Sequence, residues 1–597
     1  MTQLHTYYRE QSRLLSEEIL RLRQRNRYFV AGEILSFLAA VGLIALFTTH
    51  VGASWMLWGA VLTLVLYVFI RRRDEANSDL IDLLTARRRV YDHELNYLSG
   101  DFHCFDDGAR YSNPQQPFAF DLDIFGPQSL FNRIDRTLTS GGSDYLASCL
   151  SSLTLTEADI ENRRQAIDTL AEKKTWREYY LACGEPRKID SRRVSQALEE
   201  LNQLRLTGFV VSKAMPYVAC ASLGLLVGLS FVSAFTSLPA SVPVLWATAQ
   251  LLFVCLFCRG TLTKISRSVD KTASQMAAYA RIVSVVASLH DEELPSEELR
   301  SLVNSAVEAE ACFTEFSKIL SSLDRCNSFM GQILYSITFM TVFLIHRFLR
   351  WQHDNVGQME QWLTAVDRLD AIVSMATFRF NEPSSTTAEI VDAPQVVYEA
   401  KGLYHPFLGA KAVRNDFSIK DNNYYIVTGA NMAGKSTFLR SVGINYILAR
   451  NGMPVFAEKL KVSVFSLFSS MRTTDDLAHG ISYFNAELLR LKQLIAYCKT
   501  QRRTLIILDE ILKGTNSLDK LNGSRLFLEY ISRLPVSGII ATHDLELSKM
   551  ETEEDTRFHN YCFEIELSDH VNYSYKITKG VARNQNATFL LRQILDE

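Results

Sequence analysis

Charge is spread unevenly along this chain. From Ala214 to Cys258 there is no Lys, Arg, Asp, Glu or His; Lys213 stands before the run and Arg259 ends it. An earlier block, Ile34 to Ile70, carries no Lys, Arg, Asp or Glu and is followed by Arg71, Arg72 and Arg73. A bilayer core about 30 Å thick takes about 20 apolar residues as helix. The first block fits two spans, roughly 29–47 and 54–70, turned at Thr48 to Ala53. The second fits about 215–235 and 242–258, turned at Thr236 to Ser241 with Pro239. Glu33 lies near the start of the first span, where the cost of a charge falls. Arg21, Arg23, Arg25 and Arg27 precede the first hairpin, and Lys264 and Arg267 follow Arg259 after the second. Basic residues at both ends of each hairpin place those ends in the cytoplasm. The competing reading is a pair of buried core helices, apolar all round; the basic brackets favour the bilayer. A third run, Ile333 to Ile345, is shorter and reads as a buried or interfacial helix. Four spans then leave the N-terminus and everything after the second hairpin in the cytoplasm.

Between these blocks the pattern is polar and helical. Residues 1–27, 74–98 and 259–330 show long amphipathic stretches such as SVDKTASQMAAYARIVSVVASL. Residues 99–127, with Pro114, Pro117, Pro127 and several Gly and Asp, read as a linker, and so does NEPSSTTAEIVDAPQ at 381–395. Beyond it, strand-like and helix-like segments alternate, the signature of an α/β domain. The expected organisation has three parts. Residues 1–118 hold an N-terminal helix and a membrane hairpin, 119–380 a helical domain carrying the second hairpin, and 381–597 an α/β domain.

Composition narrows the function classes. A chain of 597 residues exceeds a single core. Hydrophobic residues make up 47% and charged residues 22%, near soluble averages, so a mean hydropathy of zero conceals the segregation above. The net charge of −3 lacks the basic surplus of a dedicated nucleic-acid binder and leaves room only for a local patch. The ten cysteines sit mostly in apolar runs. Cys255 and Cys258 have C-x-x-C spacing but no second ligand pair, and read as small apolar residues in a reducing compartment. No cleavable signal peptide is apparent.

The chemistry is concentrated in the last domain. In YYIVTGANMAGKST, 424 to 437, a β-branched strand runs into Gly429-x-x-x-x-Gly434-Lys435-Ser436 and then an apolar helix. This is the context of a phosphate-binding P-loop. Its backbone N–H groups close around phosphate oxygens at a helix N-terminus that favours anions. The loop comprises Gly429, Ala430, Asn431, Met432, Ala433, Gly434, Lys435, Ser436 and Thr437. Lys435 reaches the β- and γ-phosphates of ATP, and the Ser436 hydroxyl ligates Mg²⁺. In TLIILDEILKGTN, 504 to 516, a buried strand delivers Asp509 to its C-terminal end, where open α/β sheets bind ligands. Asp509 is the expected Mg²⁺ carboxylate, and Glu510 orients or deprotonates the attacking water. A third strand, SGIIATHD at 537–544, places His543 to contact the γ-phosphate.

Together these pieces resemble the MutS family of DNA mismatch-repair ATPases. The family's loop G-P-N-M-G-G-K-S-T appears as GANMAGKST, and its D-E-I-G-R-G-T-S-T-x-D as DEILKGTNSLD, Asp509 to Asp519. Its signature region, D-D-x-x-x-G-x-S-T-F-x-x-E-M, appears as DDLAHGISYFNAEL, Asp475 to Leu488, and its A-T-H-x-x-E-L switch as ATHDLEL, 541 to 547. Tyr404-His405-Pro406 is similar to the family's R-H-P, and Val413-x-Asn415-Asp416 to an adenine-side element of one lineage. Residues 129–170 look like the opening of the family's helical core and lever. The resemblance implies an α-helical core and lever joined to an ABC-type P-loop ATPase domain, with the two transmembrane hairpins added. It implies a homodimer through the ATPase domains, in which Ser482 reaches in trans to the nucleotide of the other subunit and Asp519 lies at the same seam. DNA is the implied substrate.

The departures are specific. Residues 1–118 hold a hairpin where the family's mismatch-reading domain would lie, and no helix-turn-helix dimerisation tail follows GVARNQNATFLL. Leu512 and Lys513 replace Gly-Arg, Ala433 replaces a Gly, and Tyr483 replaces a Thr. The leading expectation is a membrane-anchored MutS-like ATPase acting on DNA. The runner-up is an ABC-like membrane transport or mechanotransmission ATPase that does not act on DNA, although no LSGGQ-like signature occurs. A scaffold that binds ATP without turnover is disfavoured by the intact Asp509 and Glu510.

Overall fold

A computed structural model of the chain describes all residues except 1, 50–53, 185–187, 237, 270–272, 328, 473–482, 502, 554–555, 568–570 and 584–597. A helical N-terminal region precedes an α/β domain with mixed sheets.

The chain begins with two long helices, Thr2–Thr49 and Ser54–Ser99, which run side by side. No proline interrupts either, so the polar stretch 1–27 and the apolar stretch after it form one continuous helix rather than two units. At 1.5 Å per residue each arm is roughly 70 Å long. The hairpin has two parts. In the polar part Tyr8, Leu15, Ile19, Ile81, Leu84 and Tyr91 form a buried cluster. In the apolar part Leu35, Leu38, Ile44, Trp55, Trp58 and Leu62 face outward, each about half to three-quarters exposed. The Arg71–Glu33 ion pair, 3.4 Å, lies where one part gives way to the other. The polar end is tied to the helical domain. Tyr7 and Tyr91 donate their hydroxyls to the two oxygens of Glu178, and Tyr8 donates to Asn381. Asn381 in turn donates to Glu94, which is paired with the buried Arg136.

The second hairpin is built from helices Met215–Phe235 and Ser241–Phe253; the latter continues through a π turn into Arg259–Val269. Gln250 reaches across to Ser222 at 2.8 Å. Among the described residues three helices are long and apolar enough to cross a membrane: Gln3–Phe47, Met215–Phe235 and Ser241–Val269. The arm 54–70 is not among them, although its large side chains are as exposed as those of its neighbour. The run 333–345 is not one straight helix. Phe339, at φ 55°, separates Phe329–Ile337 from Met340–Asn381, with an 87° bend between the two. The ring of Phe339 packs at a tilt against Phe253 of the second hairpin, centroids 5.7 Å apart. The 42-residue helix that follows ends at Asn381, at the base of the first hairpin, and so connects the two. Between 270 and 330 the described residues form helices Ala273–Ala287 and Glu297–Asn327 joined by a turn, and Ser296 fixes that turn to the carbonyl of Asn162. No further domain is inserted there among the described residues.

The α/β domain contains two sheets. β1 (Glu389–Val391), β5 (Lys459–Ser463), β2 (Tyr398–Leu403) and β3 (Asn415–Ile419) form the smaller one, in that order. The larger follows the order β10 (Val571–Lys579), β9 (Phe558–Leu567), β4 (Tyr424–Gly429), β8 (Val536–Thr542), β7 (Thr504–Asp509) and β6 (Ser466–Ser470). All its pairings are parallel except β9 with β10. β4 and β8 are buried along their whole length, as helices on both faces of a parallel sheet require. Thr428 pairs with Thr542 and Asp509 with Ala541, so the C-terminal ends of β4, β7 and β8 finish level at one edge.

The segment 99–127 is not a free linker. Phe118, Ala119, Leu122 and Ile124 are buried in the main core, and the segment straps the helical region to the α/β domain. Residues 381–395, the other expected linker, include β1 and a bridge from Thr386 to Val455.

Candidate functional site

The level ends of β4, β7 and β8 meet the turn that opens helix Lys435–Arg450. Gly434 caps that helix at φ 106°, and a Cβ there would lie 3.1 Å from the ring of Tyr575. A Cβ on Gly429 would lie 3.0 Å from the carbonyl of Phe563. Both positions therefore need glycine for close approach as well as for backbone freedom. The first turn of the helix carries no acid of its own, and its N-terminus faces a cleft of about 590 Å³.

Within this cleft Asn431, Met432, Ala433, Gly434, Lys435, Ser436 and Thr437 form one wall, with Asp509 and His543 beside them. Met432 stands outward, three-quarters exposed, at φ 66°. Lys435 is buried, and its Nζ donates to the carbonyls of Gly429 and Ala430 at 2.8 and 2.9 Å. Burial pushes its ammonium down to about 8, against the opposing pull of Asp509 and Glu510. The imidazole of His543 lies 3.4 Å from Lys435 Nζ. Burial and then the charge of Lys435 hold His543 below its ordinary value, which favours the neutral ring. Ser436 Oγ donates to Asp509 Oδ2 at 2.5 Å.

Glu510 follows Asp509 at φ 58°, its N–H bonded to the carbonyl of Ala541. Burial opposes its charge, but the hydrogen bond and charge of Lys520, with His543 and Lys513 behind it, hold the carboxyl below its ordinary range. Hydroxyl and carboxylate oxygens are the hard donors that Mg²⁺ prefers, and Mg²⁺ takes few of them from protein. Among the described residues no group of three or more His, Cys, Asp or Glu could hold a metal ion. The Ser436–Asp509 pair offers one hydroxyl and one carboxylate oxygen, donors of that hard kind.

The far wall is made by Leu403, Tyr404, His405, Leu408, Lys411 and Val413, with Asn415 and Tyr575. Asn415 is committed to structure. Its side chain donates to the carbonyl of Tyr575 and accepts the N–H of Ile577, pinning β3 to β10. Ser482 lies outside the described residues, with most of its signature region. Asp519 is exposed in the first turn of helix Ser517–Ile531, where it completes the cap formed by Asn516.

Three contributors have no role assigned to them in the motif reading. Lys520 Nζ lies 3.1 Å from Glu510 Oε1. The buried Glu487 accepts the backbone N–H groups of Lys513 and Gly514 at 2.9 and 3.0 Å. Asp121, 1% exposed, accepts from Ser469, from the N–H of Arg472 and from Arg490. Glu487 falls within the quoted signature region and was legible there as its acid. Lys520 and Asp121 carry no local signal, because their partners are distant in sequence or come from another part of the fold.

Residues 425–589 match the family model of MutS domain V. The matched region contains β4, the glycine turn, Asp509, Glu510 and His543. Among curated proteins, the DNA mismatch repair protein MutS of Persephonella marina is 30% identical over 271 residues, which is 44% of this chain and 29% of that protein. The MutS of Acetivibrio thermocellus is 30% identical over 239 residues, 38% of this chain and 27% of that protein. The MutS of Aquifex pyrophilus is 29% identical over 238 residues, again 38% of this chain and 27% of its own length. The chain thus covers less than a third of the length of these relatives, and its C-terminal region is MutS-like.

Proposed function

We propose that this chain is a membrane-anchored MutS-like ATPase that binds and hydrolyses ATP with Mg²⁺ and uses the cycle to act on DNA. The observation that carries the reading is the convergence of Lys435, the Ser436–Asp509 pair, Glu510 and His543 at the level ends of three parallel strands. Gly429 to Thr437 would wrap the phosphates, with Lys435 on the β- and γ-oxygens. Ser436 and Asp509 would hold the Mg²⁺, which neutralises phosphate charge when bound. Val413 and Asn415, on the far wall, would flank the base, Asn415 by fixing the wall rather than by its own side chain. Glu510 would orient or deprotonate the water, and His543 would register the γ-phosphate. Ser482 of a second copy would complete the site in a homodimer. The proposed division is 1–118, 119–380 and 381–597.

Membrane anchoring is supported by the outward-facing apolar arms of both hairpins and their basic brackets. DNA is proposed from the names of the relatives. The decisive experiment uses the full chain in nanodiscs. Mg²⁺-dependent ATP turnover is expected, with Lys435→Ala defective in nucleotide binding and Glu510→Gln binding without turnover. Wild-type turnover in Glu510→Gln would sink the catalytic assignment. Branched or mismatched DNA is expected to raise turnover, with the effect lost steeply as salt rises.

A second reading, an ABC-like membrane transport or mechanotransmission ATPase that does not act on DNA, is favoured by one observation. The 42-residue helix Met340–Asn381 links the second hairpin to the base of the first, a geometry suited to moving membrane segments. Turnover indifferent to every DNA tested would select it.

A further inference from the structure

Glu510 carries the demanding step of the proposed reaction, yet its carboxylate is already engaged. Lys520 Nζ lies 3.1 Å from Oε1, and the two side chains retain only 21% and 18% of their exposure. A pair this far from solvent is screened less than a surface pair. The backbone of Glu510 has little freedom to turn the group elsewhere. It sits at φ 58°, and its N–H is bonded to β8 through Ala541. Lys520 itself is on the first turn of helix Ser517–Ile531, held in place by the Asn516 cap. The lysine therefore meets a carboxylate whose main chain is already set, and it engages one of its two oxygens, Oε1.

We propose that Lys520 is a positioning residue that clamps Glu510 in a resting pose, so that hydrolysis requires the clamp to open. The inference rests on the hydrolytic reading above. The ammonium donates to Glu510 Oε1 and so occupies an acceptor position on the carboxylate that a water would otherwise use. Lys520 makes neither of the contacts assigned to the phosphates or to Mg²⁺, so removing it alters the chemical step and not binding.

The test is steady-state ATP turnover by the full chain in nanodiscs, for wild type, Lys520→Met, Lys520→Arg and Glu510→Gln. Lys520→Met is expected to raise kcat by about three- to tenfold with KM within about twofold, the pattern of an interaction that affects only the chemical step. Lys520→Arg, which keeps the cation, is expected to behave as wild type. A Lys520→Met kcat at or below wild type overturns the clamp while leaving Glu510→Gln inactive and the hydrolytic reading intact. Wild-type turnover in Glu510→Gln overturns the hydrolytic reading, and the clamp with it.

Discussion

Ser436 donates its hydroxyl to Asp509 across 2.5 Å, closing the gap between the first turn after β4 and the end of β7. Residues 73 positions apart in sequence thereby present two hard oxygen donors side by side. The pair is exposed, so it adds little to stability. Its value lies in the ion it would share with phosphate oxygens. Ser436→Ala and Asp509→Asn are each expected to raise the Mg²⁺ concentration needed for half-maximal turnover on the order of ten- to a hundredfold, the scale of losing part of a metal's supporting shell. Both are expected to melt within a degree or two of wild type, a shift of well under 1 kcal/mol. A Mg²⁺ titration beside a melting curve checks both statements. An unchanged Mg²⁺ requirement in both variants would remove the metal assignment.

Lys435 gives a pH prediction with a definite sign. Its ordinary value is 10.5, and burial brings it down to about 8 in the nucleotide-free protein. Phosphate oxygens favour the charged form, so the value rises when ATP binds. Binding near pH 8.5 is therefore accompanied by proton uptake. Affinity is expected to be flat below about pH 8 and to fall by up to tenfold per pH unit above it, until the pH reaches the higher value of the complex. Calorimetry in two buffers with different ionisation heats measures the protons directly. Zero uptake near pH 8.5 would show that the lysine is already fully charged before ATP arrives.

Glu487 ties helix Tyr483–Thr500 to the loop just beyond Glu510, through the N–H groups of Lys513 and Gly514. Removing a buried acceptor leaves its donors without a partner, at about 1–3 kcal/mol. Glu487→Ala is expected to lower stability by about 2 kcal/mol. Glu487→Gln keeps one acceptor oxygen and is expected to lose less. Turnover is expected to fall in the same order, because Glu510 lies three residues before Lys513. Denaturant midpoints and kcat measured on the same preparations test the correspondence. An alanine variant as stable and as active as wild type would mean that the loop holds its shape unaided.

The strand, turn and helix around Gly429 to Thr437 were legible in the sequence because the signal is local. A β-branched run, two glycines and a Lys-Ser pair lie within a dozen residues of one another. Asp509 and His543 were legible for the same reason, each at the end of an apolar run. Lys520 was not, because nothing in SLDK says which way the fourth side chain of a helix start will reach. The polar and apolar halves of the first hairpin read as separate units because composition changes near residue 28, but helix termination depends on proline, glycine and caps, and none acts there. The stretch 99–127 read as a linker because its prolines and glycines forbid long regular elements. They do not forbid burial. Phe118, Leu122 and Ile124 carry the apolar signal, and only the fold shows where it goes.

That strap yields the last prediction. Asp121 is 1% exposed and receives Arg490, Ser469 and the N–H of Arg472, all from the α/β domain. Two residues on, Asp123 receives the guanidinium of Arg472 and, at 2.8 Å, that of Arg440 on the helix that opens with Lys435. The two acids differ in solvent access, since the side chain of Asp123 keeps 35% of its exposure. Breaking a buried pair by neutralising one member leaves the other charge unpaired and costs about 3–5 kcal/mol, whereas an exposed pair is worth about 1 kcal/mol or less. Asp121→Asn is therefore expected to be the more destabilising by about 2 kcal/mol or more, in urea unfolding of the full chain in detergent. Arg490 still reaches the carbonyls of Gln116, Pro117 and Ser469, which keeps the loss toward the lower end of that range. Equal losses in the two variants would mean that the strap lies against the α/β domain without holding it.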